Sequence, residues 1–466
     1  MKILFCYTDI NMRGGAKSFH YGIAILSALL KKYGHRTRLH YMYPKYDIQP
    51  LEETVHAFQP DMLAFSSTSA QFRYVKKILE DLPLDKRVFT LCGGPHVTLE
   101  PESFEAVPRL DAICRGEGEE AMIDLVRRLE KNEDIRGISN LWVRDPQDGR
   151  IHRNASNRFI QDLDSLPFAD RELFPYQSII DSDFHTALFM FSRGCPFNCS
   201  YCSNQALRGV QSGKYVRFRS VDNCLQEVEE VLSNYRADAI YVNDDLFTLN
   251  KDFVAEFCEK YKQRIGLPFD INTRVGYVDE TLCAQLKSAN CRRVNIGIES
   301  GSPRIRQKIL NRKMSNEQII ETFQMLKAAG LKTKSFNMIG FPEETPEDFM
   351  ETIRLNRIIQ PDSVILNVFD PYPGTPLGER CKTEGLIDWA RMESDLIPKT
   401  DTVLNLPQFP RKTIKHFYKR FAYEVYKETA PHRALFYRIY YSDLGEHLLR
   451  ILAPVKTLLR KWTMGI

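Results

Sequence analysis

No uninterrupted apolar run in the 466 residues reaches the about 18 that a membrane-spanning helix requires. Charge of one sign is not in excess either. The 64 basic and 60 acidic residues leave a formal net charge of +4, which argues against a dedicated nucleic-acid binder, so no nucleic-acid partner is expected. Internal repeats and low-complexity tracts are missing. The short N-terminal apolar run is cut by Asp9, too early for a secretory signal core, and reads as a first β-strand. A cytoplasmic protein is expected. In that setting eleven cysteines do not make a disulfide framework. Cys6, Cys92, Cys114, Cys224, Cys258, Cys283, Cys291 and Cys381 are scattered, and read as small buried hydrophobes. The chain is too long for one core, and its apolar content of 43% suffices for two large domains and an appendage.

What is present is alternation. Strand patterns at 2–8, 36–43, 61–67, 87–94 and 111–118 are interleaved with helical periodicity, for example at 20–32, 72–82 and 119–130. This order predicts an α/β fold with a doubly wound parallel sheet over residues 1–135. Ligands of such sheets sit beyond the carboxyl ends of the strands. Those ends carry Asp9 to Gly15, then Ser66, Ser67, Thr68 and Ser69, then Gly93, Gly94 and His96, then Gly116, Glu117 and Gly118. Their small and hydroxylic residues let backbone approach a bulky ligand. Residues 136–184 hold a small strand pair and an irregular connector. Six further strand patterns follow at 186–193, 239–246, 269–275, 292–299, 332–340 and 362–372, separated by helices. They predict a partial (β/α)6 barrel over 185–380, with functional groups at the strand C-termini. A helical, aromatic and basic extension occupies 381–466.

The strongest chemical signal is Cys195, Cys199 and Cys202, in the order C-x3-C-x2-C after a strand and Gly194. A short loop can wrap three thiolates around one iron–sulfur cube and leave one iron open to an outside ligand. Structural zinc wants four closed ligands, and no partner pair with that spacing exists. The spacing, with Tyr201 before the third cysteine, resembles the radical S-adenosylmethionine (SAM) superfamily. The resemblance implies a 4Fe–4S cluster that binds SAM through its open iron and cleaves it to methionine and a 5′-deoxyadenosyl radical. It also implies SAM contacts at successive strand ends: Asn243, Asp244 and Asp245; Arg274; Glu299 and Ser300; Asn337 and Gly340; Tyr372.

The N-terminal sheet followed by this barrel resembles the cobalamin-binding class of that superfamily over roughly residues 1–380. Ser66 to Ser69, Gly93, Gly94, His96 and Gly116 to Gly118 are then the expected cobalamin contacts, His96 serving either the corrin amides or a helix cap. One departure is the missing D-x-H-x-x-G motif, so no histidine is placed as a lower cobalt ligand. The class implies methylation of an unactivated carbon in a small-molecule or lipid-like substrate, with a flavodoxin- or ferredoxin-like electron donor. Three alternatives stand beside it: radical ring formation or rearrangement; a methylthiotransferase, whose second cluster would need Cys6, Cys92 and Cys114; and a non-catalytic cobalamin or redox sensor. Arg208, Lys214, Arg217 and Arg219 form either an anion clamp or a solvated face. The amphipathic run 444–462 suggests a helix packed on the barrel mouth or a partner, or else a peripheral membrane contact at the inner membrane face.

Overall fold

A computed structural model describes residues 1–10, 17–393 and 400–442. Two sheets dominate it. The first joins β1 (Lys2–Thr8), β2 (Arg36–Met42), β3 (Met62–Ser66), β4 (Phe89–Gly93), β5 (Ala112–Cys114), β6 (Leu141–Arg144) and β7 (Ile151–Arg153) in the order β2-β1-β3-β4-β5-β6-β7. The strands β1 to β5 run parallel, whereas β6 and β7 pair antiparallel. The strand pair expected in the connector therefore extends this sheet at one edge. The pattern of β1 explains its central place: from Ile3 to Thr8 every residue is buried, as a strand covered on both faces requires. By contrast β2 places Arg36 and Arg38 outward, which suits the opposite edge.

The second sheet begins with β8 (Thr186–Phe189); β9 (Ser192–Arg193), just after it, pairs antiparallel with β10 (Arg217–Phe218) in a separate two-stranded ribbon. The remaining strands are β11 (Ala239–Val242), β12 (Phe269–Thr273), β13 (Cys291–Glu299), β14 (Lys332–Ile339) and β15 (Ser363–Val368). Together with β8 they form a six-stranded, all-parallel half-barrel in sequential order. The crossover helices start on sharp signals. Ser220, Asn250, Asp279, Ser315 and Thr345 each accept a backbone N–H of the first turn.

The two sheets share one core. A continuous apolar cluster runs from Ile3 and Phe5 through Phe19 and Tyr21 to Phe174, Tyr176, Phe189 and the barrel interior. A second cluster covers the other face of the first sheet. A third joins β14 and β15 to the C-terminal helices Arg411–Tyr426 and Pro431–Tyr440, where Phe349 meets Phe409, Phe417 and Phe421 at 5.1–6.4 Å between ring centroids. The expected amphipathic run at 444–462 lies outside the described residues.

Candidate active site

The cluster loop leaves β9 under restraint from both sides. Asp244, fully buried, accepts the Phe191 and Ser192 amides at 2.7 and 3.1 Å and the Ser192 hydroxyl at 2.7 Å. Burial pushes its carboxyl up to about 6 against the pull of those donors. Next in the chain, Arg193 donates to Glu117 at 2.8 Å and to Glu119 at 2.6 Å, across to the first sheet. Gly194 then turns with φ +88, and a Cβ there would lie 2.7 Å from the Tyr215 carbonyl oxygen. Cys195, Cys199 and Cys202 follow, all free thiols, with Cys199 buried. Burial raises the Cys195 thiol to about 11 and the Cys202 thiol above its usual value. Such thiols need a metal to hold them as thiolates.

The surroundings fit an anionic, sulfur-ligated group. Arg274 Nη1 lies 3.6 Å from Cys199 Sγ, and Arg312 Nη1 lies 3.4 Å from it. Asn204 Nδ2 donates toward Cys202 Sγ at 3.7 Å. Among the described residues no three His, Cys, Asp or Glu side chains are arranged to hold a metal ion without rearrangement. The fit to a cluster therefore rests on sulfur donors and cationic neighbours.

The strand-end residues divide into two groups. Asn243 and Asp245 are exposed at the concave mouth, and the charge of Asp245 acts on Cys195 and Cys202. Arg274 stacks its guanidinium 4.0 Å above Phe197. Glu299, at φ +66, is buried beside Arg312 and Tyr201. Burial raises its carboxyl, with Arg312 opposing. Tyr201 packs on Phe341, and Tyr372 is 42% exposed, its phenol raised to about 12 by its crowded setting. Gly340 closes the β14 turn, its N–H held by Glu344 at 2.6 Å.

Three expected contacts turn inward instead. Asp244 is the loop clamp just described. Asn337 is fully buried and bonds Ser335, Ile365 and Asn356. Ser300, equally buried, gives its carbonyl to Arg306. These hold the half-barrel together.

Beyond the ends of β1, β3, β4 and β5 lies a mainly apolar cavity of about 280 Å³. Ser66, Gly93, Gly94, Gly116, Glu117 and Gly118 line it, with Met190 and Arg193 from the barrel side. A Cβ on Gly94 (φ +97, ψ 179) would meet Ser67 N at 2.6 Å and Ser66 Oγ at 2.9 Å. This small-residue cradle suits a broad, flat ligand. Ser67, Thr68, Ser69 and His96 do not line the cavity. Ser67 is buried against Cys92, and Thr68 caps the helix Ser69–Asp81. His96 bonds Ser69 at 3.3 Å within the helix Pro95–Leu99, and burial lowers it to about 4, so it is neutral. Of Asp9 to Gly15, only Asp9 and Ile10 are described; Asp9 accepts Ser18 N at 2.9 Å.

The Gly94→Ala variant forces a side chain into a backbone region that glycine alone occupies without strain. The loop is expected to shift to relieve about 1–3 kcal/mol, and retention of a corrinoid to fall at least about tenfold with far-UV circular dichroism unchanged. Unaltered retention would remove this loop from the cofactor site.

The sequence named Glu117 and the basic residues of 208–219 but not the contacts they make. Glu117 is an ion-pair hub for Arg193 and Arg217, so Arg217 is neither clamp nor solvated face. Arg219 pairs with Glu227, and Arg208 bonds the Pro196 carbonyl. Arg312 carried no signal at all, because its contact with Cys199 spans 113 residues of chain.

Comparison with known families decides the class. The radical SAM superfamily model matches residues 189–355, and the B12 binding domain model matches residues 12–126. The chain belongs to the cobalamin-binding class of the radical SAM superfamily.

This radical SAM enzyme is 29% identical over 378 residues to an uncharacterized methyltransferase of Pyrococcus horikoshii, covering 79% of each chain. It is 25% identical over 392 residues to the anaerobic magnesium-protoporphyrin IX monomethyl ester cyclase of Rubrivivax gelatinosus, covering 81% of this chain and 69% of that one. Its fold matches the cobalamin-dependent SAM radical enzyme OxsB with aqua-cobalamin and SAM bound, at a TM-score of 0.67 and 17% identity over 98% of this chain and 75% of that one. A 4Fe–4S cluster, SAM and cobalamin are the cofactors of this class.

The three N-terminal cysteines do not build a second cluster site. Cys6 and Cys92 belong to the core on one face of the first sheet, Cys114 to the core on the other.

Proposed function

We propose that this radical SAM enzyme methylates an unactivated carbon of a small-molecule or lipid-like substrate. The observation that carries the reading is a shared wall. Arg193, two residues before Cys195, lines the same cavity as Gly94 and Gly116 and is ion-paired to Glu117 and Glu119. The cluster loop and the corrinoid cradle are thus parts of one site, as methyl delivery to a substrate radical demands.

Cys195, Cys199 and Cys202 would hold the cluster, and Ser66, Gly93, Gly94, Gly116 and Gly118 the corrinoid. When bound, the cluster supplies one electron to SAM and the corrinoid supplies a methyl carrier. Asn243, Asp245 and Glu299 offer oxygens to the SAM amine and ribose, and Tyr201, Gly340 and Tyr372 frame the mouth around it. A flavodoxin- or ferredoxin-like protein is the proposed electron source. No helix among the described residues is long and apolar enough to cross a membrane. Contact with a membrane surface would fall to the segment beyond 442, in keeping with a protein of the cytoplasm or its inner membrane face.

The test is anaerobic reconstitution with iron, sulfide and hydroxocobalamin, gel filtration, and incubation with SAM and dithionite. The expected result is near-stoichiometric corrinoid co-eluting with iron–sulfur absorption, 5′-deoxyadenosine, and S-adenosylhomocysteine that requires the corrinoid. Corrinoid and 5′-deoxyadenosine without S-adenosylhomocysteine would replace methylation by ring formation or rearrangement. Both cofactors without SAM cleavage would leave a sensor.

A further inference from the structure

The three cluster cysteines differ in what faces their sulfurs. Toward Cys202 points one neutral amide, that of Asn204, itself oriented by the Tyr215 hydroxyl at 2.7 Å. The carboxylate of Asp245 is the charged neighbour of Cys195 and Cys202. Cys199 instead meets two guanidiniums, from Arg274 at the end of β12 and Arg312 in the loop after β13.

The other contacts of the two arginines do not balance their combined charge. Arg312 is 6% exposed. Its remaining hydrogen bonds go to the Tyr201 hydroxyl at 3.3 Å and the Gly297 carbonyl, both neutral, and its Nε is buried without a partner. Glu299 is a carboxylate neighbour of both arginines, one negative charge against two positive ones. A permanently charged group so placed is costly unless an anion faces it. Arg274 is half-buried, stacked on Phe197, and held near Arg312 despite their like charge. Two cations drawn to one point mark that point as strongly negative in the working protein. The atom between them is Cys199 Sγ.

We propose that Arg274 and Arg312 form a cationic cradle on the Cys199 thiolate that raises the reduction potential of the cluster bound there. This rests on the reading of Cys195, Cys199 and Cys202 as cluster ligands. Hydrogen bonds to the sulfurs and net charge set cluster potentials. Reduction adds one electron and one unit of negative charge; no bond forms or breaks, and no proton moves. Fixed positive charge at the sulfur favours the more negative state. Both arginines are positioning residues, because they act through the cysteine.

The experiment is a redox titration of the reconstituted full chain with dithionite, followed by electron paramagnetic resonance of the reduced cluster, with SAM affinity measured in parallel. Arg312→Gln is expected to lower the reduction equilibrium constant about tenfold, a shift of about 59 mV to more negative potential. Arg274→Gln should shift it in the same direction, and Arg312→Lys should recover part of the loss. If Arg312→Gln fails to assemble a cluster, Arg274→Gln decides the question alone, since its half-exposed side chain holds no strand end. An unchanged potential in Arg274→Gln with an intact signal overturns the proposal. So does a fall in SAM affinity at constant potential, which would assign the pair to the SAM carboxylate. A wild-type chain with no cluster signal would instead sink the radical SAM reading itself.

Discussion

Cys199→Ala is expected to abolish 5′-deoxyadenosine formation. Three thiolates are the minimum that leaves one iron open while holding the other three, so loss of one ligand loses the cluster. Cys199 is the ligand whose removal reaches furthest. It is the buried member of the three, and its loss removes the sulfur acceptor that Arg274 and Arg312 share. A destabilisation of about 1–3 kcal/mol from that lost acceptor is expected to accompany the cluster loss. Cys199→Ser separates the two effects: its hydroxyl can still accept from an arginine, but an oxygen is a poor ligand for this soft centre. Serine should restore most of the stability and none of the SAM cleavage. Iron analysis adds a control. Wild type should carry about four irons per chain, and Cys92→Ser and Cys114→Ser should leave that count unchanged. About eight irons, or a loss on Cys92→Ser, would revive the two-cluster methylthiotransferase. Cleavage of SAM by Cys199→Ala would sink the cluster assignment.

The parts of the site legible in the sequence are those written in local spacing. The cysteine triplet is compact, and the strands and crossover helices carry their periods within ten residues or so. The run Asn243, Asp244, Asp245 shows where local reading stops. Three polar residues follow the end of β11 at Val242, and they alternate between exposed and buried. Asp245 reaches the mouth while Asp244 turns back to clamp the cluster loop. Nothing in the triplet says which is which. Asn337 misleads for the same reason: a polar residue at a strand end looks like a ligand contact, yet Asn356 and Ser335 consume its amide in the barrel wall. Glu117 is a case of long-range chemistry. In sequence it is one residue of a Gly-rich loop. In space it collects Arg193 and Arg217, which lie 76 and 100 residues away, and fixes the Gly116–Gly118 loop against the segment that leads into the cysteines. The glycines around it were legible because their role is local backbone geometry; the ion pairs were not, because no spacing encodes them.

The second large effect belongs to Glu227, which has no place among the cofactor contacts. It is buried with 1% side-chain exposure between Arg171, at 2.6 Å, and Arg219. Arg171 donates on to the Tyr21 hydroxyl at 3.1 Å, and Tyr21 donates to the Leu188 carbonyl at 2.7 Å. One carboxylate thus ties the first helix of the N-terminal sheet, the connector and barrel strand β8. Glu227→Ala leaves two buried guanidiniums uncompensated, and chemical denaturation should show a loss of about 3–5 kcal/mol. An effect below about 1 kcal/mol would mean that water reaches the pair. Burial alone would raise the carboxyl, but Arg171 and Arg219 outweigh it and hold its pKa below the usual carboxylate range. The pair's contribution is therefore complete above the unfolded carboxylate value and is lost as pH falls through the lower folded one. The wild type should consequently lose stability on acidification more steeply than Glu227→Ala. The loss also has a local address. Tyr21 lines the cavity proposed for the corrinoid, whereas the segment leading into the proposed cluster cysteines is held by Asp244 and by the pairs of Glu117 and Glu119. Reconstituted Glu227→Ala should therefore lose corrinoid before it loses iron. The reverse order would show that the connector supports the barrel mouth more than the N-terminal cradle.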